Sequence, residues 1–223
     1  MDFKIISNNN FFPFHFTTTK FCGNMKDTAE RKKFCKSVDL DETKIVFANQ
    51  VHGTLVKKVS EKDCGKFIDS CDGLITNDKN IYLCIFTADC MPIFLTSRDG
   101  SVVSLIHSGW RGLAEGIIES AVTSFLNDFG ISPIDIFAYI GPHIKECCYQ
   151  VGEDLKKTFN VNSDKEYFSL VKQAQKQMKK LKIAKVYTSS HCTCHEYDMF
   201  YSYRREKTNE RMMSLIKIPT EVK

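Results

Sequence analysis

Two apolar runs, residues 92–96 and 102–107, flank the tetrapeptide Ser97-Arg98-Asp99-Gly100. Asp-Gly between apolar runs is a strong hairpin signal, because glycine accepts the positive φ that tight turns demand. The second run is apolar almost without alternation, which predicts a strand buried on both faces. Reactive side chains sit where the runs begin and end. Cys90 closes Thr87-Ala88-Asp89-Cys90, and His107 opens His107-Ser108-Gly109-Trp110-Arg111-Gly112. Pairing the two runs brings both groups to one end of a hairpin. A thiolate beside an imidazole is either part of a metal site or a nucleophile with its base.

The pattern on either side is richer in strands than in helices. An opening strand and loop are predicted over residues 1–23, where Phe11, Phe12, Phe14 and Phe16 precede three threonines. Asp27 is placed to cap a short helix running to about Val38. Strands are predicted over 44–52, in the β-rich piece 54–59, at Leu74-Ile75 after the turn Cys71-Asp72-Gly73, and over 81–87. After Gly112, the residues Leu113, Ile117, Ala121, Phe125 and Phe129 form a stripe of helical period, widened by Ile118, Val122 and Leu126. Gly130 suits the C-terminal cap. A strand over 134–140, an amphipathic helix over 163–181, a strand over 184–188 and a last strand over 212–218 complete the chain. Hairpins and crossovers together predict an α+β fold, a mixed β-sheet sandwich with helices packed on the outside. No repeat or linker composition interrupts it, so one domain over 1–223 is expected.

The 31 basic and 27 acidic residues leave a net charge of +4, and the lysines are spread over helix faces. That is a solvated surface rather than a nucleic-acid patch. No run is apolar enough for a membrane span and no signal region opens the chain, so a cytoplasmic protein is expected. Its ten cysteines are then mostly reduced, small apolar residues.

Four constellations have side chains suited to chemistry. His52, Cys90 and His107 all stand at or just past predicted strand ends; one thiol and two imidazoles leave a fourth position open, as in catalytic zinc sites. Alternatively, Cys90 is a nucleophile with His107 as base, and Asp89 orients a neighbour or caps a turn. Arg111, Arg204 and Arg205 are candidates for an anion such as phosphate, Arg111 lying in the first turn of the strong helix. Finally, His191-Cys192-Thr193-Cys194-His195 places four donor side chains in five residues. They cannot all converge on one ion from so short a loop, so the segment is read as no site. Cys147 and Cys148 are expected to be buried thiols near the site wall.

The motifs Gln50-Val51-His52-Gly53, Asp72-Gly73-Leu74-Ile75-Thr76, Thr87-Ala88-Asp89-Cys90-Met91-Pro92 and His107-Ser108-Gly109-Trp110-Arg111-Gly112 follow one another in a recognisable order. So do Ile140-Gly141-Pro142-His143-Ile144, Cys147-Cys148-Tyr149-Gln150-Val151-Gly152 and Phe200-Tyr201-Ser202-Tyr203-Arg204-Arg205. Together they resemble the YfiH/YlmD family, long labelled multicopper polyphenol oxidases or laccase-domain proteins. The resemblance implies an α/β sandwich shared with cysteine-type toxin deamidases. It also implies phosphorolysis of adenosine, inosine and methylthioadenosine, with adenosine deamination as well. One zinc would be held by His52, Cys90 and His107, copper being less favoured. Cys90, His107 and Asp89 would then be catalytic, and Arg111, Arg204 and Arg205 would meet substrate or phosphate. The expected partners are purine nucleosides and phosphate, with no nucleic acid or membrane, and the expected state is a monomer. The family's N-terminal Phe-Ser-Thr-Arg reads Phe16-Thr17-Thr18-Thr19-Lys20 here, so the arginine is missing or replaced by Lys20. Its Thr-Gly-Arg reads Asn209-Glu210-Arg211.

A four-copper oxidase needs many imidazoles, and the chain has six His. Laccase chemistry is therefore not expected. Two other classes stay open at this stage: a metal-independent cysteine hydrolase or deamidase using Cys90 and His107, and a non-catalytic purine-binding protein.

Overall fold

The Asp99-Gly100 turn closes the expected antiparallel hairpin, with Met91 opposite Ser108 and Thr96 opposite Val103. Gly100 takes a φ of 72°, and its amide donates to Ser97 O at 2.9 Å. A computed structural model describes residues 4–219 apart from Phe12, Ser163 and Lys165. Phe12 of the aromatic opening and the first residue of the helix expected over 163–181 therefore lie outside the described residues.

The first half of the chain holds β1 (Ile5–Ile6), β2 (Phe14–Thr18), α1 (Thr28–Ser37), β3 (Ile45–Ala48), β4 (Val56–Lys58), β5 (Phe67–Ile68), β6 (Gly73–Thr76) and β7 (Tyr82–Thr87). The second half holds β8 (Met91–Ser97), β9 (Val103–Ser108), α2 (Trp110–Glu115), α3 (Ile117–Phe129), β10 (Ile136–Ile140), α4 (Glu153–Thr158), α5 (Leu170–Lys180), β11 (Lys185–Thr188), α6 (Tyr203–Glu206) and β12 (Met212–Lys217). Two six-stranded sheets result, ordered β1-β2-β12-β7-β3-β5 and β11-β10-β8-β9-β6-β4. Both mix parallel and antiparallel neighbours; β3 and β7 run parallel, for example, while β7 and β12 run antiparallel.

Strand alternation divides the apolar residues among three layers. Val46, Leu83, Ile85 and Ile216 of one sheet meet Leu74, Phe94, Val103, Leu105 and Tyr139 of the other between the sheets. The alternate residues Ile45, Phe47, Cys84 and Phe86 face α1 with Phe34 and Cys35. On the far side, Met91, Ile93, Leu95, Ile106 and Ala138 pack under α3 and α5. The helices thus lie outside the sandwich, as expected. β9 is buried along its whole length.

Some local details differ from expectation. The strong helix is two helices, because Gly116 adopts a φ of 97° between α2 and α3. Leu126 is half-exposed rather than part of the buried stripe. The helix expected from residue 163 begins at Leu170, where Ser169 accepts from Lys172 N. The short elements β5 and α4 carry too little periodicity to have been expected. Among the described residues, no helix is long and apolar enough to cross a membrane. All ten cysteines are free thiols, and Cys22, Cys35, Cys71, Cys84 and Cys192 are buried.

Candidate metal centre and active-site cleft

The hairpin register sets Cys90 and His107 side by side, and the loop after β3 brings His52 to them. Their ligand atoms all lie within 4.8 Å of one another. The two imidazoles meet edge to face, with centroids 4.8 Å apart at 83°. His107 is 3% exposed, Cys90 is partly buried, and His52 stands at the exposed edge.

One carboxylate organises all of this. Asp72, fully buried at the start of β6, accepts His107 Nδ1 at 2.7 Å. The same carboxylate accepts the amides of Val51, His52 and Gly53 at 3.1, 3.0 and 2.7 Å. It therefore bends the 49–53 segment out of β3 and holds His52 at a φ of 64°. This is why the strand expected over 44–52 ends at Ala48. Gln50 fastens the loop from the other side, exchanging hydrogen bonds of 2.8 Å with the backbone of Phe86. With Nδ1 bound to Asp72, the other ring nitrogen of His107 is left to face Cys90.

Burial alone would push the Asp72 carboxyl up, but His107 and the amides of Gly53 and Val51 hold it below the usual carboxylate range. Burial would likewise raise the Cys90 thiol. The charge of His107 and hydrogen bonds with His107 and His52 overcome it, bringing Cys90 down to about 6. Burial works against charging His107 too, yet Cys90 and Asp72 raise it to about 9. Thiolate and imidazolium are the favoured pair at neutral pH, before any ion binds.

Two glycines permit the close approach. A Cβ on Gly109 would stand 3.1 Å from Cys90 Sγ and 3.3 Å from His52 Cδ2. On Gly112 it would stand 2.8 Å from the carbonyl oxygen of Gly53, a backbone atom that cannot swing aside.

The three donors form the floor of a cleft of about 500 Å³. Lys26, Arg111, Arg204, Lys207 and Arg211 line it, as do Phe67, Phe86, Trp110, Tyr149 and Tyr203. Arg111 lies over the Trp110 ring at 4.5 Å, and Arg204 lies over Tyr149 at 5.1 Å while donating to Gln150 O at 2.6 Å. Burial raises the Tyr149 phenol to about 12, so it stays a neutral hydroxyl.

The other candidate residues are sorted by this geometry. Arg205 does not line the cleft: its guanidinium donates to the carbonyls of Thr193, Cys194 and Phe200 and pairs with Glu206. Asp89, with a φ of 91°, lines the cleft but is already engaged. Its carboxylate accepts Thr193 Oγ1 at 2.7 Å, Ser202 Oγ at 3.0 Å and Arg204 N at 2.6 Å. Lys20 donates to Tyr197 O. Cys147 is exposed, contrary to its expected burial. Asp72, Lys26 and Lys207 were not singled out from sequence. Asp72-Gly73 looks like an ordinary turn, and only contacts 35 residues apart reveal its role.

A family model described as multi-copper polyphenol oxidoreductase laccase matches residues 24–219. The chain belongs to this YfiH/YlmD laccase-domain family. A purine nucleoside phosphorylase of Haemophilus influenzae is 34% identical over 185 residues, covering 77% of this chain and 73% of the relative. YlmD of Bacillus subtilis, also named a purine nucleoside phosphorylase, is 34% identical over 193 residues, covering 77% and 69%. The crystal structure of YlmD from Geobacillus stearothermophilus superposes with a TM-score of 0.84 at 26% identity, covering 92% of this chain and 91% of that one.

The multi-copper description can be set against the donors this YfiH/YlmD chain offers. His15 is bound to Pro13 O and Asn8 N, His143 to Gly141 O, and His191 to Glu196. His195 lies beside Cys147 and Cys148. Among the described residues, only His52 and His107 converge with Cys90, a donor set that fits one borderline-soft ion better than a copper cluster. Met91, a conceivable axial thioether, is fully buried in the core under α3.

Proposed function

We propose that this chain is a metal-dependent purine nucleoside phosphorylase acting on adenosine, inosine and methylthioadenosine. The observation that carries this is the single cleft that joins a Cys-and-two-His floor to a cationic rim and aromatic walls. Relatives named purine nucleoside phosphorylases support it. A zinc ion held by His52, Cys90 and His107 would supply Lewis-acid chemistry.

The chain's own groups do the rest. The aromatic walls take the flat base, and the rim cations take phosphate, with Arg111 braced over Trp110 and Arg204 over Tyr149. A phosphate oxygen forms the new bond to the anomeric carbon as the bond to the purine nitrogen breaks. The departing electron pair takes up a proton, giving free base and ribose 1-phosphate. Cations near the phosphate offset its charge as it closes on the sugar. Asp72 orients His107. Asp89, its oxygens occupied by three donors, acts as a positioning residue that holds the Arg204 backbone.

The open fourth position of the donor set favours deamination of adenosine as a second activity. Incubating metal-analysed protein with adenosine, with and without phosphate, separates the two. Adenine formed only with phosphate is the expected sign of phosphorolysis, and inosine that of deamination. Adenosine unchanged under both conditions contradicts the proposal.

A further inference from the structure

Two segments that carry no metal signal singly come together at one end of the second sheet. β10 and β11 are parallel neighbours, so the chain leaves both at the same edge. Cys147 and Cys148 follow β10, Cys192 and His195 follow β11, and a bridge between His143 and Cys192 ties the segments together. The ligand atoms of Cys147, Cys148 and His195 all lie within 4.8 Å of one another. Cys147 Sγ is 3.5 Å from Cys148 Sγ and 3.9 Å from Cys192 Sγ.

We propose that Cys147, Cys148 and His195, with Cys192 as fourth donor, form a second metal site for a zinc-class divalent cation, separate from the cleft. A tetrahedral ion with metal–sulfur bonds of about 2.3 Å holds its sulfurs about 3.8 Å apart. The two observed spacings bracket that figure. A backbone amide also points into the cluster: Cys192 Sγ accepts Lys145 N at 3.4 Å. Lys145 Nζ, donating to Ser189 O at 2.6 Å, ties the segment after β10 to the one after β11.

The site would be a staple rather than a reaction centre. One of its segments continues into Tyr149, a wall of the cleft. The other contains Thr193, which holds Asp89. The ion would thereby fix two parts of the cleft wall without touching the substrate.

The test uses the full chain as a Cys90→Ser variant, in which the cleft no longer offers a thiolate. Cobalt(II) added to the reduced protein is expected to give a thiolate-to-cobalt charge-transfer band that zinc abolishes. Adding Cys147→Ser and Cys148→Ser should remove the band, and His195→Ala should weaken cobalt binding. A Cys90→Ser protein without the band, or a band that survives loss of Cys147 and Cys148, overturns the proposal. So does a Cys147–Cys192 disulfide in place of metal, read as two fewer alkylatable thiols after anaerobic purification. Should a multiple variant fail to fold, zinc stoichiometry of the native chain decides: two ions per chain are expected, and one contradicts the second site.

Discussion

Asp72 does more for the cleft than any residue singled out from sequence. Its carboxylate selects the ring nitrogen that His107 leaves toward Cys90, and it shapes the loop that carries His52. Asp72→Asn keeps the size but loses the charge-assisted acceptor. Metal affinity is expected to fall by about 10–100-fold, the usual cost of losing such a supporting carboxylate, as measured by chelator competition. Unchanged affinity would show that Asp72 only builds the turn. The thiolate–imidazolium pair makes a second prediction, for metal-stripped protein. Cys90 is depressed to about 6, so its contribution is lost as pH falls through that value. His107 is raised to about 9, so its contribution is lost as pH rises through that value. Between about 6.5 and 9 the folded pair and the unfolded thiol with neutral imidazole carry the same net charge. Above about 9 the folded imidazolium and the unfolded thiol lose their protons together, so the stability difference between wild type and Cys90→Ser should stay flat from about 6.5 upward and shrink only slightly as pH falls through 6. Urea titrations of both proteins from pH 5 to 10 would measure it; a difference that slopes steadily across the window would contradict the pairing.

At the scale of elements, local pattern told a good deal. The β8–β9 hairpin was legible because a turn signal separates two apolar runs, and α3 because its stripe has helical period. The break at Gly116 was hidden, since the stripe continues in phase through α2 and α3. The loop at 49–53 was hidden for another reason: Gln50, Val51 and His52 read as extended chain until Asp72 gathers the amides of Val51, His52 and Gly53. Gly112 ties helix to loop. Gly112→Ala would put a methyl group 2.8 Å from Gly53 O, so α2 and the His52 loop must separate. Weaker metal binding with little loss of fold is expected, measured as zinc retained through dialysis alongside the melting temperature. Full retention of zinc would mean that the loop adapts freely. Phe125, fully buried in α3 against the second sheet, tests the packing instead. Truncation to Ala should cost about 3–5 kcal/mol of unfolding free energy in denaturant titration, and a loss below about 1 kcal/mol would contradict its place in the core.

Across the whole molecule, hairpins and crossovers implied a sandwich with helices outside, and two sheets with three apolar layers are found. Strand order was not legible, because β12 joins β2 and β7 across most of the chain's length. The same distance effect explains what was hidden of the chemistry. Cys90 and His107 announced themselves through one hairpin, whereas Cys147 and His195 meet only because β10 and β11 are neighbours. Arg205 shows the converse: adjacency to Arg204 in sequence suggested a shared role, but the one-turn helix α6 sends its guanidinium to the carbonyls of Thr193, Cys194 and Phe200. In the proposed function, one ion held on the floor of the cleft serves nucleoside cleavage at the rim. Cys90→Ala tests it most directly, with cleft metal content and phosphate-dependent release of adenine measured on the same preparation. Both should be lost together while the fold persists; full adenosine turnover in the variant would contradict the account.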